Sequence, residues 1–421
     1  MRMLRWLLLV LGLSIAVSPL HAQEQVQPDE RVVRNVVVRS GPSTDTPAIE
    51  ALVPGETLPV SGDVPLWYRV QLDDGRTGYV SKAWTVPVVG PAGIYRVHSI
   101  DVGTGLALFV EGPGFTLLYD AGTQDDTRRG AHNRVVNYLR KIRPDLTTID
   151  HLILSHAHKD HLYLMPDIFA AYAIRNVWDS GRLYDSCGYR DFLDRVSKET
   201  GVAYHNGIGS DREHEFSFAN CQSEPKKVSV RLGSALELKS VPLGTNASMR
   251  FLYLDTALHE DPNENSLVVR LDLGGKRVLL MGDAEAGQRN DPASAPDAGS
   301  IEANLLSCCA SDLRADVLVA GHHGSKTSSR TAFLDAVKAS TYVISSGPYL
   351  YSGTGLPDHE VVAEFERRGT LFRTDRDDGA CKVNPAKIGA DNDGKVGGCD
   401  NILIELSSAM PVRARYLQIA D

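Results

Sequence analysis

The chain has 421 residues and a mass of 45.8 kDa, with 43% hydrophobic and 23% charged residues, which is ordinary for a globular protein of two or three folding units. Its 37 glycines have no period, so a collagen-like or coiled-coil body is excluded. A formal charge of -9, from 53 acidic and 44 basic residues, gives no general attraction to nucleic acid or an anionic membrane, though it leaves room for a local basic groove.

Arg2 and Arg5 precede an apolar run from Trp6 to Val17, which is followed by Ser18-Pro19 and Leu20-His21-Ala22. This is the pattern of a signal peptide over residues 1–22, cut after Ala22. The run is shorter than the roughly 20 apolar residues of a membrane span. The sequence therefore predicts an exported protein, periplasmic or secreted, with no stable membrane span. Cleavage removes two arginines and no acids, so the formal charge of -9 becomes -11. Six cysteines follow, at 187, 221, 308, 309, 381 and 399, with no Cys-x-x-Cys pair. An even count in an exported chain suits disulfides, and Cys187 with Cys221 and Cys381 with Cys399 are the local pairs.

Residues 23–31 are polar and read as a linker. Short β-runs then alternate with turn residues: Asn35 to Ser43, Ala51 to Glu56, Trp67 to Leu72 and Thr77 to Ser81. Asp74-Gly75 lies between two alternating runs, where a tight hairpin needs positive φ. Together these predict a small β-barrel. The segment Val-Arg-Ser-Gly-Pro-Ser at 38–43, the pair Trp67-Tyr68 and the strand Gly-Arg-Thr-Gly-Tyr-Val at 75–80 resemble the bacterial SH3-type domain over residues 32–86. That resemblance implies contact with cell-wall peptide or glycan, and a protein-interaction module is the alternative.

Residues 86–93 read as a second linker. The remainder, 94–421, alternates β-runs (107–110, 115–119, 149–154) with helical stretches (134–142, 163–172, 361–368), the pattern of sheets flanked by helices. The run Ile149 to Leu154 ends in Ser155-His156-Ala157-His158-Lys159-Asp160-His161. His156 and His158 are two apart, so they point the same way on an extended segment. A helix starting near Leu162 would bring Asp160 and His161 to the same space. Imidazole with carboxylate suits zinc, ahead of manganese or iron. Three further apolar strands end in ligand-type residues: Asp120-Ala121-Gly122, Gly282-Asp283-Ala284-Glu285 and Gly321-His322-His323-Gly324-Ser325.

With these motifs in hand, residues 94–378 resemble the metallo-β-lactamase superfamily. Asp101-Val-Gly-Thr-Gly105, Asn263-x-x-Ser266, Leu280-Met-Gly-Asp283, His322-His323 and Arg373-Thr-Asp375 are similar to its competence-protein branch, the hydrolase domain of DNA-uptake channels. The resemblance implies an αββα sandwich with a metal pair, most simply two Zn2+, at one edge of the sheets. It implies that His156 and His158 hold the first metal, Asp160 and His161 the second, and Asp283 both. One histidine of the pair His322-His323 would complete the second site, with His323 favoured and its neighbour reaching the substrate. Asp120 would orient a ligand histidine through its other nitrogen. Many superfamily members place a further histidine just before the strand Asn265 to Val269. Here Asp261-Pro-Asn-Glu-Asn265 stands there, so Asp261, Asn263 or a water is left to fill the position, with His259 nearby.

The expected chemistry is hydrolysis by a metal-bound hydroxide, since a cation lowers the pKa of water to about 7. Asp160 or Asp283 would orient the nucleophile, and Ser325 with Lys326 would meet substrate oxygens. Branch and loop favour a phosphodiesterase acting on nucleic acid or a phosphate-containing envelope polymer. A carboxyl ester or lactam hydrolase, and a non-catalytic wall-binding protein, are the alternatives. His359 reads as a surface histidine at a helix start, and His132, His151, His205 and His214 as structural or exposed.

Overall fold

The computed structural model describes residues 25–375, 389–390 and 398–417, apart from residues 30, 55, 73, 89–92 and 409. The proposed signal peptide and Cys381 lie outside the described residues, so the pairing of Cys381 with Cys399 does too. Cys187 is bonded to Cys221, and Cys308 is bonded to its neighbour Cys309.

The N-terminal unit is a seven-stranded antiparallel barrel-like sheet. Its order is Ala48–Leu52, Val36–Arg39, Thr77–Ser81, Trp67–Gln71, Leu58–Val64, Gln25–Pro28 and Thr85–Val88. Alternation builds its core. Val36 and Val38 are buried while Val37 between them is exposed, and Leu52, Leu58, Val70, Leu72 and Val80 close the interior. Gly75, with φ +84, turns the hairpin that pairs Gln71 with Thr77. Both linker readings need correction. Gln25–Pro28 is a strand, paired with Thr85–Val88 and with Leu58–Val64. Its Gln25 and Val26 are buried, so a tetrapeptide with two glutamines and a single core valine serves as a strand because distant partners offer it a ladder.

The second unit has two facing sheets. The first runs Ala203–His205, Ala173–Trp178, Thr148–Ile153, Phe115–Tyr119, Leu108–Gly112, Tyr95–Ser99, Ile402–Ser407 and Met410–Tyr416. The second runs Ser240–Gly244, Ala247–Tyr253, Val268–Leu273, Lys276–Leu280, Val317–Val319, Thr341–Ile344 and Thr370–Arg373. Val97, Val110, Leu117 and Ile153 from one sheet meet Met249, Phe251, Leu271 and Leu280 from the other. Period-2 alternation sends Phe109, Leu118 and Leu152 outward under the helices Arg134–Ile142, Met165–Ala171 and Cys187–Lys198. Leu279, Leu318 and Tyr342 do the same under Ile301–Cys309, Thr331–Val337 and His359–Arg368. The result is an αββα sandwich. A strand buried on both faces reads as a near-continuous apolar run, as Phe115–Tyr119 does with Thr116 as its one polar residue.

Arg270 ties the two units together. It stands on strand Val268–Leu273, is 1% exposed, and contacts Glu56 of the barrel as well as Asp272 (3.0 Å) and Asp312 (3.1 Å). Among the described residues no helix is long and apolar enough to cross a membrane.

Candidate metal centre

Phe115–Tyr119 and Thr148–Ile153 are parallel neighbours, and both deliver their C-terminal ends to one edge of the sandwich. Asp120 ends the first with φ +57 and is fully buried. Its carboxylate accepts from the Ser155 backbone N–H (2.7 Å) and hydroxyl (2.6 Å), and lies 2.8 Å from His161 Nδ1. That contact leaves His161 Nε2 directed at Asp283 Oδ1 (3.1 Å) and His323 Nε2 (3.3 Å). Gly122 is needed here for close approach: a Cβ would sit 2.2 Å from Asp160 C and His161 N, so any side chain would push the histidine segment away. Gly282, at φ +55, likewise turns the chain out of Lys276–Leu280 so that Asp283 enters the centre.

Two groups of ligand-type atoms converge, His156 with His161 and Asp283, and Asp160 with His161 and His323, all buried. His323 Nδ1 is fixed by the Ser345 carbonyl at 2.8 Å, and its Nε2 lies 3.5 Å from Asp160 and 3.6 Å from Asp283. His158 stands at the rim. Its Nδ1 is 3.0 Å from His156 Nε2, and its Nε2 is 3.8 Å from Asp261. Of the groups near the missing-histidine position, Asp261 thus approaches His158, whereas His259 is held by Asp255 (2.9 Å) and Glu264 (3.1 Å).

His322 lies beside the cluster, 4.0 Å from Asp283, with Nδ1 at 2.7 Å from both Glu285 and Thr327 Oγ1. His322 and His323 have φ of +46 and +51, and two consecutive non-glycine residues in the left-handed region are a strained backbone. Ser325 is fully buried, and its hydroxyl is 3.0 Å from Arg289 and from Thr327 Oγ1. Lys326 pairs with Glu360 at 2.8 Å. Both therefore sit in a loop braced by Arg289 and Asp358, whose contacts are 2.6 and 2.8 Å. His359 is exposed at the start of its helix. His151 and His205 pack against Trp178 in the interior.

Three groups escaped the sequence reading. Glu285 and Ser155 lay within quoted motifs, where their residue types gave a usable signal. Tyr351 gave none: it comes from the small hairpin Leu350–Tyr351/Thr354–Gly355, and its hydroxyl donates to Asp160.

Electrostatics favour charged ligands. Burial alone would raise Asp283, but the imidazoles of His161, His323 and His322 hold it well below the usual carboxylate range. Burial would likewise lower His161, yet Asp283 and Asp120 raise it well above its ordinary value. His322 resists burial in the same way, lifted to about 9 by Asp283 and Glu285. These shifts measure how much positive charge the buried carboxylates demand. The residues fit divalent cations on two counts. Asp283 Oδ1 is buried without a hydrogen-bond partner, and two imidazole nitrogens face each other at 3.3 Å, which needs a proton or a cation between their lone pairs.

Comparison with known proteins agrees with this geometry. Residues 100–347 match the model of the metallo-beta-lactamase superfamily, and residues 34–86 that of the bacterial SH3 domain. "Recombination protein 2" of Haemophilus influenzae is 26% identical over 69% of this chain and 29% of its own length. "ComE operon protein 3" of Bacillus subtilis is 24% identical over 60% of this chain and 28% of its own. The chain thus spans under a third of the curated relatives it matches. The crystal structure of the metallo-beta-lactamase fold protein YhfI from Bacillus subtilis covers 67% of this chain and 97% of its own, at 13% identity and a TM-score of 0.37. With more than half its length matched by the family model, a candidate centre of histidines and aspartates at the sheet edge and relatives among the competence proteins, the chain belongs to the metallo-β-lactamase superfamily of metal-dependent hydrolases.

Proposed function

We propose that the chain is an exported phosphodiesterase that holds two zinc ions and acts on nucleic acid or on a phosphate-containing polymer of the envelope. In this reading residues 1–22 are a signal peptide, 32–86 a wall-contacting module and 94–421 the hydrolase domain. His156 and His158 would hold one ion, Asp160, His161 and His323 the other, and Asp283 would serve as a ligand to both. A bound cation pair supplies Lewis acidity and makes water a nucleophile near neutral pH. The protein's own groups do the rest. Asp120 keeps the proton of His161 on Nδ1, so Nε2 is a donor atom. Asp160 is steadied by Tyr351 and orients the attacking water, and His322, backed by Glu285, faces the leaving group.

The observation that carries the reading is the buried Asp283 carboxylate, whose Oδ1 lacks a hydrogen-bond partner and lies 3.1 Å from His161 Nε2, while its Oδ2 lies 3.8 Å from His156 and 3.6 Å from His323. The phosphodiester assignment is supported by relatives named for recombination and competence. A wall contact is supported by a barrel groove of about 520 Å³ lined by Trp67, Trp84, Arg31, Arg34 and Arg39. The test is metal content by mass spectrometry together with turnover of bis(p-nitrophenyl) phosphate, for wild type and Asp283→Asn. Bound metal with turnover that depends on Asp283 is expected. Metal without diester turnover would move the assignment to carboxyl esters, and absence of metal under zinc or manganese loading would overturn it.

A further inference from the structure

One flank of the centre is used by none of the chemistry above. Beside His158 opens a cleft of about 500 Å³ whose wall includes Arg129, Lys159, Tyr163, Tyr184 and Asp191. The Arg129 guanidinium lies 5.0 Å from the Tyr163 ring centroid and Lys159 Nζ 5.4 Å from the same ring, so two cations and one aromatic plane share a corner. Arg129 spends one nitrogen on Asp167 at 3.2 Å, and Lys159 has only a 3.4 Å contact with the Gln124 carbonyl. Tyr184 is 37% exposed and meets the His158 ring edge-on at 5.8 Å, which places a second aromatic surface against the candidate ligand itself. The single carboxylate on the wall, Asp191, is engaged by Arg190 at 3.0 Å. The far side is the start of helix Cys187–Lys198, anchored by the bond from Cys187 to Cys221. In a chain of net charge -9 this corner is a local anion attractor with aromatic faces, and it opens directly onto the metal-ligating rim.

We propose that this cleft holds the nucleotide next to the scissile linkage of a single-stranded nucleic acid, with its base against Tyr163 and Tyr184 and its phosphate on Lys159 and Arg129. The proposal rests on the phosphodiesterase reading and narrows it. Cations along a backbone path with aromatic faces beside them are what single strands require, because every base has a π-face and every linkage a charge. A poly(glycerol phosphate) chain would satisfy the cations and leave both tyrosines idle.

The test uses the metal-loaded full chain and a fluorescein-labelled, phosphorothioate-linked oligothymidylate, followed by fluorescence anisotropy. Tyr163→Leu and Lys159→Gln should each weaken binding about tenfold. Lys159→Gln should also lower the slope of log affinity against log salt by about 0.7, the value for one lost phosphate contact on a single strand. Unlabelled poly(glycerol phosphate) should compete at least about tenfold less well than unlabelled oligothymidylate. As a second readout, the ratio of kcat/KM for oligothymidylate to that for bis(p-nitrophenyl) phosphate should fall about tenfold in both variants. Unchanged affinity and ratio in both variants would overturn the proposal, as would equal competition by poly(glycerol phosphate). Variant-sensitive binding without turnover of any diester would support the cleft as a strand site and refute the phosphodiesterase reading instead.

Discussion

His161 and His323 point their Nε2 atoms at each other across 3.3 Å, yet they stand on very different backbones. His161 belongs to the short helix Lys159–Leu162 that follows a regular strand, and its ring is held by a carboxylate from the adjacent strand. His323 follows another histidine through a turn in which both residues have positive φ. On the first element ordinary periodicity says where side chains go. On the second it does not, because neither strand nor helix geometry applies, and only the fold decides which of two adjacent imidazoles enters the centre.

The sharpest way to break this comparison is to remove each histidine of the turn. His323→Ala should lower bound metal by about one equivalent per chain and abolish turnover. His322→Ala should keep its metal and lose about a hundredfold in rate, as for a positioned acid–base group. Mass spectrometry paired with kinetics reads both, and the opposite pattern would exchange the two assignments. Next comes the close approach under the first element. Gly122→Ala forces a Cβ into the backbone at Asp160 and His161, and chemical denaturation should show a loss of about 4 kcal/mol or more, with metal binding weakened in parallel. Asp120→Asn should be milder, weakening zinc affinity about 10- to 100-fold by competition with a chelator while the fold persists. A null result there would mean that His161 is aimed by packing alone.

The smallest effect concerns the loop that carries the second element. Glu302 is fully buried and accepts the backbone N–H groups of Ser329 and Arg330 just past the histidine turn. Burial raises its carboxyl to about 8, despite those N–H groups. A folded-state value above the unfolded 4.5 means that the native protein holds the proton longer. Its contribution to stability is therefore complete below about pH 4.5 and is lost as pH rises through about 8. Unfolding free energy should decline across that window, by at most about 1.4 kcal/mol per pH unit. Glu302→Gln, which cannot ionise, should lack that decline; an unaltered slope would assign it to another group.

Much of the architecture was legible because burial leaves a pattern. Phe115–Tyr119 is apolar but for Thr116 and buried throughout, and Arg134–Ile142 was readable from its spacing. The helix expected over 163–172 is found as Met165–Ala171, with Pro166 in its first turn, and a separate short helix, Lys159–Leu162, precedes it. The ligand segment starts its own helical turn, and proline then suits a fresh helix start better than a helix interior. Gln25–Pro28 escaped because nothing within four residues, two of them glutamines, reveals partners at Pro59 and Val88. The same limit hid Tyr351, whose partner Asp160 is 191 positions away. Asp120, by contrast, was readable as a support only through the resemblance to the superfamily, because the sequence alone does not show that its strand lies beside the histidine segment.

The contact between Glu56 and Arg270 carries one more consequence. A guanidinium that is 1% exposed in the middle of a sheet is compensated by a carboxylate from the other unit, and removing one partner of a buried pair costs about 3–5 kcal/mol. Barrel and sandwich are therefore expected to melt together: differential scanning calorimetry should give one endotherm, and Glu56→Ala should split it into two. With a single endotherm the barrel would be a mount and not a tether, and a partner bound to it would set the direction in which the metal-ligating edge faces.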